Sequence, residues 1–292
     1  AMASAVRKTR CLSHLVGRTI GHYQVESRIG SGKFGIVYGG THRRSGDAVA
    51  IKVEAEDARV LRLPIEARVY QALRSDHVPR MRWFGRAHGV LALVMDRTGP
   101  CLRTIHRQAG TQLGEEVVQR IGLQVLRQLE TLHNKGWLHL DIKPANIAMT
   151  SPSPLAAHDE HKLPAWTILD FGLARKWTNT QSAAKPRRGV VGTGQFASLS
   201  NHMGNPLGPR DDLESLAFTL AHLRVGRLPW SGIKAPTKQE RFALILSEKQ
   251  QTHPSAVAGD AMPPAFEDFI HSVRLLAHNE QPRYDTLRKL LM

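Results

Sequence analysis

Gly30-Ser31-Gly32-Lys33-Phe34-Gly35-Ile36-Val37 is a glycine loop whose meaning depends on the element that the chain enters next. The same G-x-G-x-x-G spacing in dinucleotide-binding folds runs from a strand into a helix. Here the chain enters a strand: Thr41 to Asp47 has the composition of a hairpin turn, and Ala48 to Val53 is a β-branched run. The glycines therefore belong to a strand-turn-strand cover. Without Cβ atoms at Gly30, Gly32 and Gly35, its backbone can close over phosphate groups.

Lys52 stands in Val49-Ala50-Ile51-Lys52-Val53, so its ammonium leaves an apolar strand and needs a partner. The candidate is Glu66, in Ile65-Glu66-Ala67-Arg68-Val69-Tyr70, on a helix expected from about Pro64 to Arg74; Glu56 and Asp57 follow the strand too closely. Further on, His139-Leu140-Asp141-Ile142-Lys143-Pro144-Ala145-Asn146 sets polar residues densely just after an apolar helix, and Asp170-Phe171-Gly172 comes later. Asp141 can orient the proton of an attacking hydroxyl. Lys143 can neutralise charge on a transferring phosphoryl group, and Asn146 and Asp170 offer the hard oxygen ligands that Mg²⁺ prefers. His139 reads as a packed, hydrogen-bonded core histidine. In this order the motifs describe phosphoryl transfer from ATP, which needs cations, close backbone approach and a positioned acceptor hydroxyl.

Around these motifs the pattern predicts an α+β, bilobal chain. Residues 1–18 read as a basic N-terminal extension, with structure starting near Tyr23. Residues 19–96 form a small strand-rich lobe with one main helix and further strands at Met81 to Gly85 and Val90 to Met95. Residues 97–101, around Thr98-Gly99-Pro100, make a connector, and 102–292 a mostly helical lobe. Helices are expected over Glu115 to Lys135, whose apolar residues follow a 3.6-residue period, and over Asp211 to Arg224, Lys238 to Glu248, Pro264 to His278 and Tyr284 to Met292. A short strand pair brackets the Ser151 to Pro164 loop, and Thr178 to Gly192 is a polar, basic loop.

The chain has 292 residues, 41% of them hydrophobic, enough for a sizeable core. Cys11 and Cys101 are too few for a disulfide framework and suit a reducing compartment, cytoplasmic or nuclear. No apolar run approaches the ~20 residues of a membrane helix. Arg7, Lys8 and Arg10 precede no apolar stretch, so no secretory signal is expected. The net charge of +15 should attract polyanions, but with aromatics at 6% nucleic acid is expected to bind only non-specifically.

These motifs resemble the protein-kinase signature set over about Gly17 to Met292. Within that superfamily the chain is similar to the casein kinase 1 group, on residues outside the catalytic motifs. These are Val78-Pro79-Arg80-Met81-Arg82-Trp83-Phe84-Gly85, Val94-Met95-Asp96-Arg97-Thr98-Gly99-Pro100-Cys101-Leu102, the segment from Gly192-Thr193-Gly194-Gln195 to Ser200-Asn201, Arg210-Asp211-Asp212-Leu213-Glu214-Ser215, and Leu228-Pro229-Trp230-Ser231-Gly232-Ile233-Lys234-Ala235. The resemblance implies a protein-kinase-like fold and Ser/Thr phosphorylation with ATP and Mg²⁺. It implies Met95 at the back of an adenine pocket, hinge backbone groups at Asp96 and Thr98, and Ile29, Val37 and Ala50 around the base. It also implies protein substrates with acidic or already phosphorylated sites, read by Lys185, Arg188 and Lys234, and a monomer. A pseudokinase scaffold that binds ATP without turnover is the alternative.

Leu140 departs from the pattern. It stands where most members have an arginine that pairs with a phosphate on the activation loop, so activity without loop phosphorylation is expected. Lys33 is a second departure, at the tip of the glycine loop.

Overall fold

The computed structural model describes residues 14–32, 35–74, 77–110, 112–151, 165–180 and 189–292. They divide into two units, one of residues 14–99 with 150–151, the other of 100–149 with the described residues from 165 onward.

The first unit is an antiparallel sheet with one helix. Strands β1 (Thr19–Ile20), β2 (Tyr23–Gly32), β3 (Gly35–His42), β4 (Ala48–Ala55), β5 (Met81–Ala87) and β6 (Val90–Asp96) lie in the order β1-β2-β3-β4-β6-β5, and α1 (Leu63–Leu73) comes after β4 in the chain. Alternation along β4 sends Val49, Ile51 and Val53 into a core shared with Val25, Tyr38 and Val94, leaving Ala50, Lys52 and Glu54 on the other face. Structure begins earlier than Tyr23. Leu15 is 2% exposed in that core, and Gly17 N–H donates to the Val25 carbonyl at 2.9 Å, so the tail end of the expected basic extension is built into the sheet.

The second unit is mainly helical: α2 (Leu102–Gln108), α3 (Glu115–Asn134), α4 (Leu199–His202), α5 (Pro209–Val225), α6 (Lys238–Gln251), α7 (Ala265–Leu275) and α8 (Tyr284–Lys289). Three short strand pairings complete it, from β7 (Trp137–Leu138), β8 (Ile147–Met149), β9 (Trp166–Ile168) and β10 (Arg175–Lys176): β8 pairs with β9, β7 with β10, and Cys101 bridges to Ala148. Helix α3 buries its periodic stripe, Val118, Ile121, Val125, Leu126, Leu129 and Leu132. Helix α5 is buried from Asp211 through Ala221 and at Leu223, which is why it lacks a polar face. The two approach closely at Gly122, where a Cβ would lie 2.9 Å from the Leu220 side chain.

Local outcomes differ from the sequence pattern, among them the end of helix α8 at Lys289 rather than Met292. Helix α7 stops at Leu275 rather than His278 because Leu276 turns extended at ψ 139°, and the carbonyls past the end find partners elsewhere: Leu276 accepts from Arg210 at 2.7 Å and His278 from Trp177 Nε1 at 3.0 Å. Helix α2 gave no periodic signal, since it buries only Leu102 and His106. No helix among the described residues is long and apolar enough to cross a membrane.

Candidate active site

In the sheet unit, cross-strand register sets Val37 opposite Lys52 and Met95 opposite Ala50. Directly paired residues share a face, so Val37, Ala50, Lys52 and Met95 line the side away from the core. Helix α1 reaches this side. Lys52 Nζ donates to Glu66 Oε2 at 2.6 Å, with the Glu66 side chain only 1% exposed, so the pairing expected from sequence forms. Tyr70 hydroxyl points at Met95 Sδ, 3.6 Å away. Glu54, two residues beyond Lys52, accepts the N–H groups of Arg62 and Leu63 at 3.0 to 3.1 Å. Its carboxylate satisfies the orphan donors at the N-terminus of α1, where negative charge is favoured.

The three glycines of the loop differ. A Cβ at Gly35 would stand 2.1 Å from the Val53 carbonyl oxygen, so β4 itself requires glycine there. At Gly30 the nearest atom would be Val37 Cβ at 3.8 Å, and at Gly32 nothing lies within 4 Å. Among the described residues, packing makes no demand at 30 and 32, and the space left there suits an approaching phosphate group. Ile29 is 44% exposed, and its methyl and the Arg97 guanidinium each come within 3.2 Å of where a Gly39 Cβ would be. Asp96 donates its N–H to the Arg80 carbonyl at 3.0 Å, and its carboxylate accepts from Arg82 at 2.5 Å. Thr98 is half-buried.

In the helical unit, the loop 139–146 is held from below by Asp212 on α5. His139 N–H and Leu140 N–H each donate to its carboxylate at 2.7 Å, and His133 Nε2 lies 2.9 Å from it. Burial alone would raise the pKa of Asp212, but its interactions with His133, first the hydrogen bond, and with His139, whose backbone N–H donates to it, outweigh burial and lower the pKa. The Tyr284 hydroxyl hydrogen-bonds His133 Nδ1, and burial raises its pKa, so it remains a donor. Leu140 adopts φ 65°, a left-handed conformation that these bonds hold in place, and its side chain packs with Leu138, Trp177, Leu207 and Val191. His139 is fully buried; Asp141 N–H donates to its Nδ1 at 3.2 Å, which leaves Nε2 to donate to the Leu169 carbonyl at 3.1 Å. It is a core histidine, as expected.

Above that base, four side chains converge. Lys143 Nζ lies 2.5 Å from Asp141 Oδ2 and 2.8 Å from Thr193 Oγ1, and the Thr193 hydroxyl donates to Asp141 Oδ1 at 2.8 Å. Asn146 Nδ2 donates to the Asp141 carbonyl at 3.0 Å and to Oδ2 at 3.2 Å. With the amide nitrogen turned to Asp141, the Asn146 oxygen is the atom of the type that magnesium takes. Asp170 is brought close by the β8–β9 ladder, since Leu169 N–H donates to the Asn146 carbonyl at 2.8 Å; Asp170 itself takes φ 66° and accepts from Gly172 N–H at 3.4 Å. Gly192 must be glycine: at φ 79°, its Cβ would lie 2.4 Å from the Leu140 carbonyl oxygen.

Lys234 is exposed on a segment tied to the same region, as Gln195 Nε2 donates to Ser231 Oγ at 3.1 Å and Trp230 Nε1 to the Gln195 carbonyl at 2.7 Å. Lys33, Lys185 and Arg188 lie outside the described residues. Sequence reasoning assigned no role to Thr193, Gly192 or Asp212. They stand far along the chain from the loop they serve, and short-range spacing carries no signal of such contacts.

The family model of the protein kinase domain matches residues 23–291, which takes in the sheet unit with its Lys52–Glu66 pair and the helical unit with its Asp141 cluster: the chain belongs to the protein kinase domain family.

Proposed function

We propose that this protein kinase is a serine/threonine kinase of casein kinase 1 type, transferring the γ-phosphate of ATP to acidic or already phosphorylated protein sites. The observation that carries the reading is the bonded set of Asp141, Lys143, Thr193 and Asn146, which supports a site built to orient a hydroxyl beside a cation. Lys52, held by Glu66, would bind the α- and β-phosphates, with Gly30 and Gly32 covering the phosphate chain and Val37, Ala50, Ile29 and Met95 about the base. Asp141, pinned by Lys143 and Thr193, would accept the hydrogen bond of a substrate hydroxyl and orient it for in-line attack. Lys143 would follow the charge on the transferring group. Asp170 and Asn146 would hold Mg²⁺, which supplies neutralisation of the phosphate oxygens when bound. The Ser/Thr and casein kinase 1 assignments are supported by the 192–201 and 228–235 segments, and the acidic preference by Lys185, Arg188 and Lys234.

The test is Mg²⁺-dependent transfer to matched serine, threonine and tyrosine peptides, with and without an upstream phosphoserine, by wild type and Asp141→Asn. A loss of about 10²-fold or more in the variant, on serine peptides favoured by the phosphoserine, supports the reading. ATP binding without transfer by wild type would instead mark a scaffold.

A further inference from the structure

Within the helical unit, the Asp141 cluster borders a cavity of ≈ 360 Å³ that none of the roles above uses. Arg103 and His106 reach it from α2, Lys143 and Pro144 from the loop, and Phe196 and His222 from the turn after Thr193 and from α5. The imidazoles of His106 and His222 are 4.9 Å apart between centroids, and His222 meets Phe196 edge-on at 5.5 Å. His106 is 6% exposed, yet its Nε2 has no hydrogen-bond partner among the described residues, and the same holds for the buried Nδ1 of His222. A buried polar atom left unpaired costs about 1–3 kcal/mol. Both histidines line the cavity, so a polar group that enters it meets their rings.

The charge of the walls says which kind. Arg103 and Lys143 are cations, and no carboxylate lines the cavity among the described residues. Burial, reinforced by His106, pushes His222 down to about 4, so near neutral pH it is uncharged, and Arg103 and Lys143 supply the charge. Lys143 also touches Asp141 and Thr193, which places the cavity beside the position proposed for the acceptor hydroxyl. Lys234 is not part of its wall.

We infer that this cavity is a subsite for an anionic side chain of the protein substrate, a carboxylate or a phosphoester, held by Arg103 and the His106–His222 pair. The inference rests on the serine/threonine kinase reading. An extended peptide advances about 3.3 Å per residue, so the anion stands within about three residues of the acceptor. Arg103 gives the planar fork suited to either oxyanion, while Phe196 and Pro144 keep water from competing.

The experiment uses the full chain and a serine peptide in a neutral background, with one glutamate or one phosphoserine moved through the three positions on each side of the acceptor. The readout is the ratio of kcat/KM for each anionic peptide to that of the neutral parent, which a general loss of activity leaves unchanged. Wild type is expected to show a ratio of about ten at one position, and Arg103→Glu to bring it to about one, with lysine there becoming preferred. The larger of the glutamate and phosphoserine ratios tells which oxyanion is taken. His222→Gln, which keeps a polar group in the cavity, should lower the same ratio. If both variants keep the wild-type ratio, or if Lys234→Glu alone removes it, the subsite is overturned while the kinase reading stands. If wild type phosphorylates no peptide, the serine/threonine kinase reading fails and the subsite with it.

Discussion

The backbone N–H of Leu140 donates to Oδ1 of Asp212 at 2.7 Å, fixing a non-glycine residue at φ 65° directly before Asp141. The left-handed conformation is unfavourable for a branched side chain, so the bond holds the loop where it would not rest alone. Asp212→Asn keeps the shape but turns an N–H₂ toward donors, leaving at least one buried N–H unpaired. We expect a loss of about 1–3 kcal/mol and a lower melting temperature, with kcat falling more than KM rises. Unchanged melting and turnover would show that the loop holds its own conformation.

Leu140 also explains how the segment before Gly192 can be held without a phosphate. Where an arginine would need an anion, this leucine packs with Val191, Trp177 and Leu207. Phosphatase treatment should leave activity within about twofold, whereas Leu140→Arg, burying an unpaired cation, should cost about 2–4 kcal/mol. Large inactivation by phosphatase, checked by mass spectrometry for complete removal, would mean that a phosphate is read elsewhere.

The two ends of the glycine loop should separate fold from binding. Gly35→Ala drives a methyl into the Val53 carbonyl and should destabilise the sheet unit by about 2 kcal/mol or more. Gly32→Ala meets no atom within 4 Å among the described residues and should melt as wild type does, while weakening ATP binding measured by calorimetry. Equal ATP affinity in Gly32→Ala and wild type would remove the phosphate-cradle role.

Lys249 gives a pH prediction. Its fully buried Nζ donates to the carbonyls of Gly194 and Ala197 and lies against the rings of Phe218 and Trp230. Burial pushes it from 10.5 down to about 7, and a neutral amine still has two hydrogens for those two carbonyls. The folded pKa is depressed, so this lysine's contribution is fully present above 10.5 and is lost as pH falls through about 7. The stability of wild type should therefore rise with pH between about 7 and 10 relative to Lys249→Met. Parallel denaturant titrations of the two proteins at pH 7, 8.5 and 10 check this; identical slopes would place the charged form in the folded state.

Much of this was readable from the sequence because the readings rest on short spacing. The Lys52 strand, the helix of Glu66 and the stripe of α3 each derive from residues within one element, and their pairing needed only the rule that a buried ammonium seeks a carboxylate. The polar loop from His139 to Asn146 was equally compact. The features that escaped depend on contacts between distant segments: Asp212 beneath the loop, Thr193 bridging Asp141 and Lys143, and the helix α2, whose two buried residues make too weak a period to detect. Leu15 was lost in a basic stretch because a single apolar residue gives no pattern.

Glu54 and Lys52 together give β4 two grips on α1, one on the N–H groups that open the helix and one on the carboxylate of Glu66. A helix pinned at both points by alternate residues of a single strand can tilt with the sheet but cannot swing outward without breaking both. Inhibitors that work by prising such a helix aside would have to rupture two buried charged contacts here, so compounds that accept the helix where it stands are the better starting chemistry for this protein.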